Sequence, residues 1–136
     1  MRIMHFYFLF GLHLLLTPRA SAQANSDTSQ LIGTWKGMSL CQVKNSPCND
    51  EIAVYHVNKS KTPHVYKLTM NKMVNGAEEV MGDMDFVYDK TGQTLTCIRN
   101  DRFKSVWKLE VKGKSMTGSL TINGKTLYRV INLKKE

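Results

Sequence analysis

The stretch SMTGSLTINGKTLYRVINL, residues 115–133, carries the clearest structural signal in the chain. It opens with strict alternation: Met116, Gly118, Leu120 and Ile122 fall on one side, and Ser115, Thr117, Ser119 and Thr121 on the other. A period of two marks a strand with one buried and one wet face. Asn123-Gly124 follows, the dipeptide that best tolerates positive φ at both centres of a two-residue hairpin turn. A second run then sets Leu127, Arg129, Ile131 and Leu133 on one face. The stretch therefore reads as an antiparallel hairpin.

The same period recurs along most of the chain, broken by turn residues every eight to twelve positions. Eight strands are expected, over 33–43, 51–59, 64–73, 78–88, 94–100, 102–111, 115–122 and 125–133. Asn75-Gly76 supplies a second Asn-Gly turn, and no connection is long enough for a crossover helix. Consecutive strands should be antiparallel neighbours. The expected fold class is all-β: an eight-stranded antiparallel up-and-down meander closed into a barrel, which removes its sheet edges. Alternation assigns Phe103, Ser105, Trp107, Leu109 and Val111 to the inside, with Val80, Gly82, Met84, Phe86 and Tyr88, and with Tyr66, Leu68 and Met70. The second strand is ambiguous, because Ile52, Val54 and His56 compete with Ala53, Tyr55 and Val57.

Residues 1–22 read as a signal peptide. Arg2 gives a positive start, an uncharged apolar run follows, and small residues at Ala20 and Ala22 fit a signal peptidase. The run is too short for a membrane-spanning helix, which needs ~20 residues. Residues 23–30 read as a loose polar leader and 31–136 as a single barrel domain. The expected location is extracytoplasmic, secreted or periplasmic.

The chain has 19 Lys and Arg against 11 Asp and Glu, a net charge of +8. Such a balance favours anionic surfaces as partners. The lysines, however, are scattered over different strands (Lys36, Lys67, Lys72, Lys108 and Lys125), the pattern of a solvated sheet face. No aromatic residues interleave with them as a single-stranded nucleic-acid surface requires. Nucleic acid is therefore not expected as a partner.

Trp35 stands at the start of the first strand, two residues after Gly33, and Arg129 faces inward on the last. In a closed barrel these strands are neighbours, and a Trp face would satisfy an inward guanidinium. Gly33-Thr34-Trp35, eight meander strands and Arg129 resemble the calycin pattern of lipocalins and avidins, and small secreted bacterial lipocalin-like domains. The resemblance implies that Gly33, Trp35 and Arg129 close the base of the barrel while the other end opens onto an apolar ligand pocket. This chain is shorter than a typical lipocalin and lacks a C-terminal helical pattern; the biotin-contacting pattern of avidins is not recognisable. A core Trp in an unrelated β-sandwich is the competing reading.

Alternating turns place the loop 44–50 at the expected mouth, with the turns around Asn75, Asn100 and Asn123. Cys41 and Cys48 flank that loop, and export makes a disulfide between them the first expectation. Cys97 is the rival partner for either. The expected ligand-contacting residues are Tyr66, Met70, Met84, Phe86, Phe103, Trp107 and Met116, since methionines adapt to irregular apolar shapes. Gly82 and Gly118 would leave room beside them. Asp50-Glu51 at the mouth would suit a cation or a basic ligand group.

No Cys or His pair has metal-ligand spacing, and no acid, base and nucleophile converge, so neither metal, cofactor nor catalysis is expected. The function expected is non-covalent binding of a small apolar or amphipathic molecule in the barrel. The alternative is an interaction or inhibitor module with a filled barrel, acting through its mouth loops or basic outer face.

Overall fold

The computed structural model describes residues 28–136. The expected signal peptide, 1–22, and most of the leader, 23–27, lie outside the described residues. A short 3-10 helix, Thr28–Leu31, takes up the rest of the leader. Eight strands follow: β1 (Gly33–Cys41), β2 (Glu51–Lys59), β3 (Val65–Val74), β4 (Ala77–Asp89), β5 (Thr94–Asn100), β6 (Lys104–Lys112), β7 (Ser115–Ile122) and β8 (Thr126–Lys135). Each pairs antiparallel with its sequence neighbour, and β1 pairs with β8 to close an up-and-down barrel. Asn75 and Gly76, and likewise Asn123 and Gly124, all have positive φ, as their hairpin turns require.

The register settles which face of β2 points inward. Trp35 lies opposite Tyr55, and Gly37 opposite Ala53. Ala53, Tyr55 and Val57 are consequently buried inside, while Ile52 is exposed. Sequence alone left this open because both faces of β2 are apolar.

Two bulges overturn the expected alternation. Met70 pairs with Gly82 but Asn71 pairs with Val80, so Met81 is an extra residue on β4. Leu120 pairs with Arg129 but Thr121 with Leu127, so Tyr128 is extra on β8. An extra residue reverses which side chains face the core beyond it. Val80 is therefore 64% exposed and Leu127 46% exposed, although simple alternation places both inside. Phe103 also departs from expectation. It lies in a bend before β6 and is 45% exposed.

The closed end is filled. Leu31, Trp35, Leu133 and Met116 are fully buried there with Phe86, Leu95, Leu109 and Val111. The 3-10 helix acts as the plug: the Trp35 indole N–H donates to the Leu31 carbonyl at 2.9 Å. Gly33, at φ 133°, makes the turn between plug and strand in a conformation that side-chain-bearing residues avoid.

Arg129 is not part of this end. In the antiparallel β1–β8 pair, Trp35 faces Lys135, while Arg129 faces Cys41 near the mouth. Arg129 lies six positions before Lys135 on β8, roughly 20 Å at strand rise. The cation over the Trp35 ring is Lys135, at 5.7 Å, whose ammonium also donates to the Gln30 carbonyl at 2.7 Å.

The cysteines resolve as Cys41–Cys48, with Cα atoms 5.8 Å apart. Cys97 is a free, buried thiol, and burial pushes its pKa up and keeps it protonated.

Candidate functional site

The mouth half of the barrel encloses a cavity of about 310 Å³, at the lower end of the range of small-molecule sites. Its two sides differ in chemistry. Ser39 of β1, Glu51 and Tyr55 of β2 and Arg129 of β8 form a polar side. Met70 of β3, Met81 and Met84 of β4, Trp107 of β6 and Phe103 before it form an apolar side. Gly82 lies among them, with open space where a Cβ would stand. Arg99 and Asp101, paired at 2.7 Å, stand at the exposed rim beside the β5–β6 turn.

Arg129 organises the polar side. Its Nη1 donates to the Ser39 carbonyl at 3.3 Å, to the Ser39 hydroxyl at 3.2 Å and to the Asn49 carbonyl at 3.0 Å. Its Nη2 donates to Glu51 Oε1 at 3.2 Å. Both side chains of this ion pair are largely buried, at 12% and 16% exposure. The guanidinium thereby ties the start of β2 and the end of the stapled loop to β1 and β8. The disulfide and a bond from the Cys41 amide to Asp50 Oδ1, at 2.8 Å, hold that loop from its other side. Asp50 and Glu51 are each engaged in this way and do not converge on a cation site.

Two polar atoms facing this arrangement are left over. Glu51 Oε2 and the Tyr55 hydroxyl are buried without a hydrogen-bond partner among the described residues. Burial pushes the Tyr55 phenol far above its ordinary pKa, opposed by the nearby Arg129 charge and reinforced by Glu51. The Ser39 hydroxyl lies near enough to ease ionisation, yet not in hydrogen-bonding geometry to the phenol. Tyr55 is thus a neutral O–H throughout the physiological range.

The barrel wall is incomplete beside the apolar side. β4 and β5 pair only at Val87↔Thr96, Tyr88↔Leu95 and Asp89↔Thr94, all toward the closed end. Beyond Val87 the two strands run without mutual pairing. Met81, Gly82 and Met84 on one strand and Arg99 on the other line the cavity next to this seam. Val80, Val87 and Ile98 are exposed around it.

Of the residues expected to contact a ligand, Met70, Met84, Phe103 and Trp107 line the cavity. Tyr66, Phe86 and Met116 do not; all three are buried in the packed half. They share the right face but sit too far toward the closed end. Gly118 also has another role, because a Cβ there would collide with the Lys108 carbonyl oxygen of β6. It permits close strand approach and leaves no room for a ligand. Ser39, Tyr55, Met81 and Arg129 were not expected at the site, and Glu51 was expected at the mouth only with Asp50, for a cation or a basic ligand group. Counting residues from the strand ends would have placed Arg129 near the mouth, whereas the inward face of β2 could not be read.

On the outer face a separate chain of contacts joins β1 to β4. Thr34 Oγ1 meets His56 Nδ1 at 3.1 Å, and His56 Nε2 meets Glu78 Oε2 at 2.7 Å. Asn71 Nδ2 donates to the same Glu78 oxygen at 2.6 Å. These bonds, chiefly that from His56, hold the Glu78 carboxyl below its usual range. The scattered lysines are partly matched, Lys67 by Asp85 and Lys72 by Glu79 across β3 and β4. Among the described residues, no group of three or more metal-ligating side chains gathers, and no helix is long and apolar enough to cross a membrane.

Compared with known protein families, curated proteins and solved structures, the chain matches none.

Proposed function

We propose that the protein is an exported, lipocalin-like carrier that holds a small amphipathic molecule non-covalently in the mouth half of its barrel. One observation carries this reading: a cavity lined both by methionine and aromatic side chains and by a hydrogen-bonding cluster, above a fully packed base. Apolar walls give such a site its affinity, and a few fixed polar groups give orientation. The Cys41–Cys48 bridge is consistent with an oxidising compartment, where residues 1–22 would direct the chain. The charged groups in the cavity are each matched by an opposite partner, an arrangement suited to holding a molecule and not to transforming it.

The test is native mass spectrometry of protein purified from its own host. A co-purified small molecule is expected, whose removal changes the emission of Trp107 in the cavity wall. Bare protein that also ignores a panel of fatty acids, retinoids and haem would overturn the reading.

A second reading, an interaction module, is favoured by the β4–β5 seam with its exposed Val80, Val87 and Ile98. Unpaired strand edges accept an extended segment of a partner protein by strand addition. It predicts that Val87→Lys abolishes partner capture and leaves small-molecule binding intact.

A further inference from the structure

We infer that the molecule held in this cavity carries an uncharged head group that donates a hydrogen bond, a hydroxyl or a primary amide, seated against Tyr55 and Glu51. The inference deepens the carrier reading and rests on it.

The protein leaves two polar atoms at this cavity unsatisfied. The Tyr55 side chain is wholly buried, lines the cavity, and its hydroxyl has no partner among the described residues. Glu51, whose side chain is largely buried and also lines the cavity, leaves its Oε2 without a partner among the described residues. Buried polar groups are hydrogen-bonded in nearly all proteins, so two unmatched ones at the wall of one cavity mark where a missing partner belongs. Arg129 is already committed to the protein through both terminal nitrogens. Its Nη1 serves Ser39 and Asn49, and its Nη2 serves the other Glu51 oxygen.

Charge then narrows the choice. Arg129 is matched by Glu51, and Arg99 by Asp101, so the lining has no net charge to offer an ion. A carboxylate head would accept from Tyr55 but stand against the Glu51 carboxylate without a proton to give it. An ammonium head would donate to Glu51, but it could not accept the Tyr55 proton and would add a cation beside two guanidiniums. A hydroxyl does both at once, donating to Glu51 Oε2 and accepting from Tyr55. A primary amide does the same with its N–H and its carbonyl. The rest of the molecule lies along Met70, which pairs with Tyr55 across β2 and β3, and along Met84 and Trp107.

The experiment titrates the delipidated protein at neutral pH with four probes of one chain length: 1-decanol, decanamide, decanoate and decylammonium. Calorimetry and Trp emission are the readouts. Decanol and decanamide are expected to bind about tenfold or more tightly than either ion, since a site built around hydrogen bonds rejects a mismatched head strongly. Tyr55→Phe, which keeps the shape of the ring, should weaken decanol binding several-fold. Glu51→Gln should narrow or reverse the gap between decanol and decanoate, because it removes the opposing charge. Circular dichroism and a thermal melt confirm that both variants are folded. Decanoate or decylammonium binding as tightly as decanol would overturn the head-group inference while leaving the carrier reading standing. So would decanol affinity unchanged in Tyr55→Phe. If none of the four binds and no molecule co-purifies, the carrier reading falls and takes this inference with it.

Discussion

The two halves of this barrel are built from the same alternating strands and yet behave as different materials. The closed half is continuous packing: Trp35, Leu31, Leu133, Met116 and Phe86 are fully buried, and the Trp35 N–H there is satisfied by Leu31. The mouth half holds an ion pair, three methionines, an unmatched phenol and empty space. One half stabilises the fold; the other is kept open at some cost to it. The difference arises from side-chain choice at equivalent inward positions. Inward sites near the base carry Leu, Val and Trp, whereas those near the mouth carry Ser39, Gly82, Ser105 and Arg129.

Substitutions test that division, and the largest effect belongs to the base. Trp35→Ala removes the plug's anchor and should cost about 3–5 kcal/mol, the range for deleting a buried aromatic. Urea unfolding would measure it; a loss under 1 kcal/mol would erase the distinction between the halves. Arg129→Met comes next, at roughly 2–3 kcal/mol, because it strands the largely buried Glu51 carboxylate. Cys41→Ser with Cys48→Ser should cost ~2–3 kcal/mol by freeing the loop in the unfolded chain. Gly82→Leu sharpens the comparison from the other side. Its Cβ meets open space, so stability should change by less than about 1 kcal/mol, while decanol binding falls by at least tenfold as the cavity fills. The smallest effect is expected on the outer face. Glu78 is held below its ordinary pKa in the folded state, so its contribution is present at neutral pH and fades as pH falls through that lowered value. Glu78→Gln should flatten the acid limb of the stability profile slightly and lower the neutral-pH plateau by the same small amount, while stability below the carboxylate range stays as in the parent.

The barrel itself was legible because two signals agreed: period-two alternation and Asn-Gly at hairpin turns. The cysteine bridge followed from spacing and compartment. What escaped was anything that depended on an extra residue or on a strand with two apolar faces. A bulge at Met81 or Tyr128 leaves the written pattern unchanged and reverses its meaning beyond that point. Tyr55 was unreadable because Ile52 and Val54 compete with it. Here Val54 is buried as well, so hydrophobicity carried no information about direction. The assignment of Arg129 to the base came from the adjacency of the first and last strands, an inward guanidinium's need for an aromatic face, and the family resemblance; the β1–β8 register places it at the other end.

The short β4–β5 ladder has a consequence for motion. Seven of the eight strand interfaces run seven or more residue pairs, and this one runs three. A closed ring with one weak joint opens at that joint first, so amide protons along 82–86 and 97–100 that point across the seam should exchange with solvent well before those of β7. The joint borders the cavity, so local opening there sets how fast a molecule gets in or out without any unfolding of the base. Exchange rate and residence time should then rise and fall together.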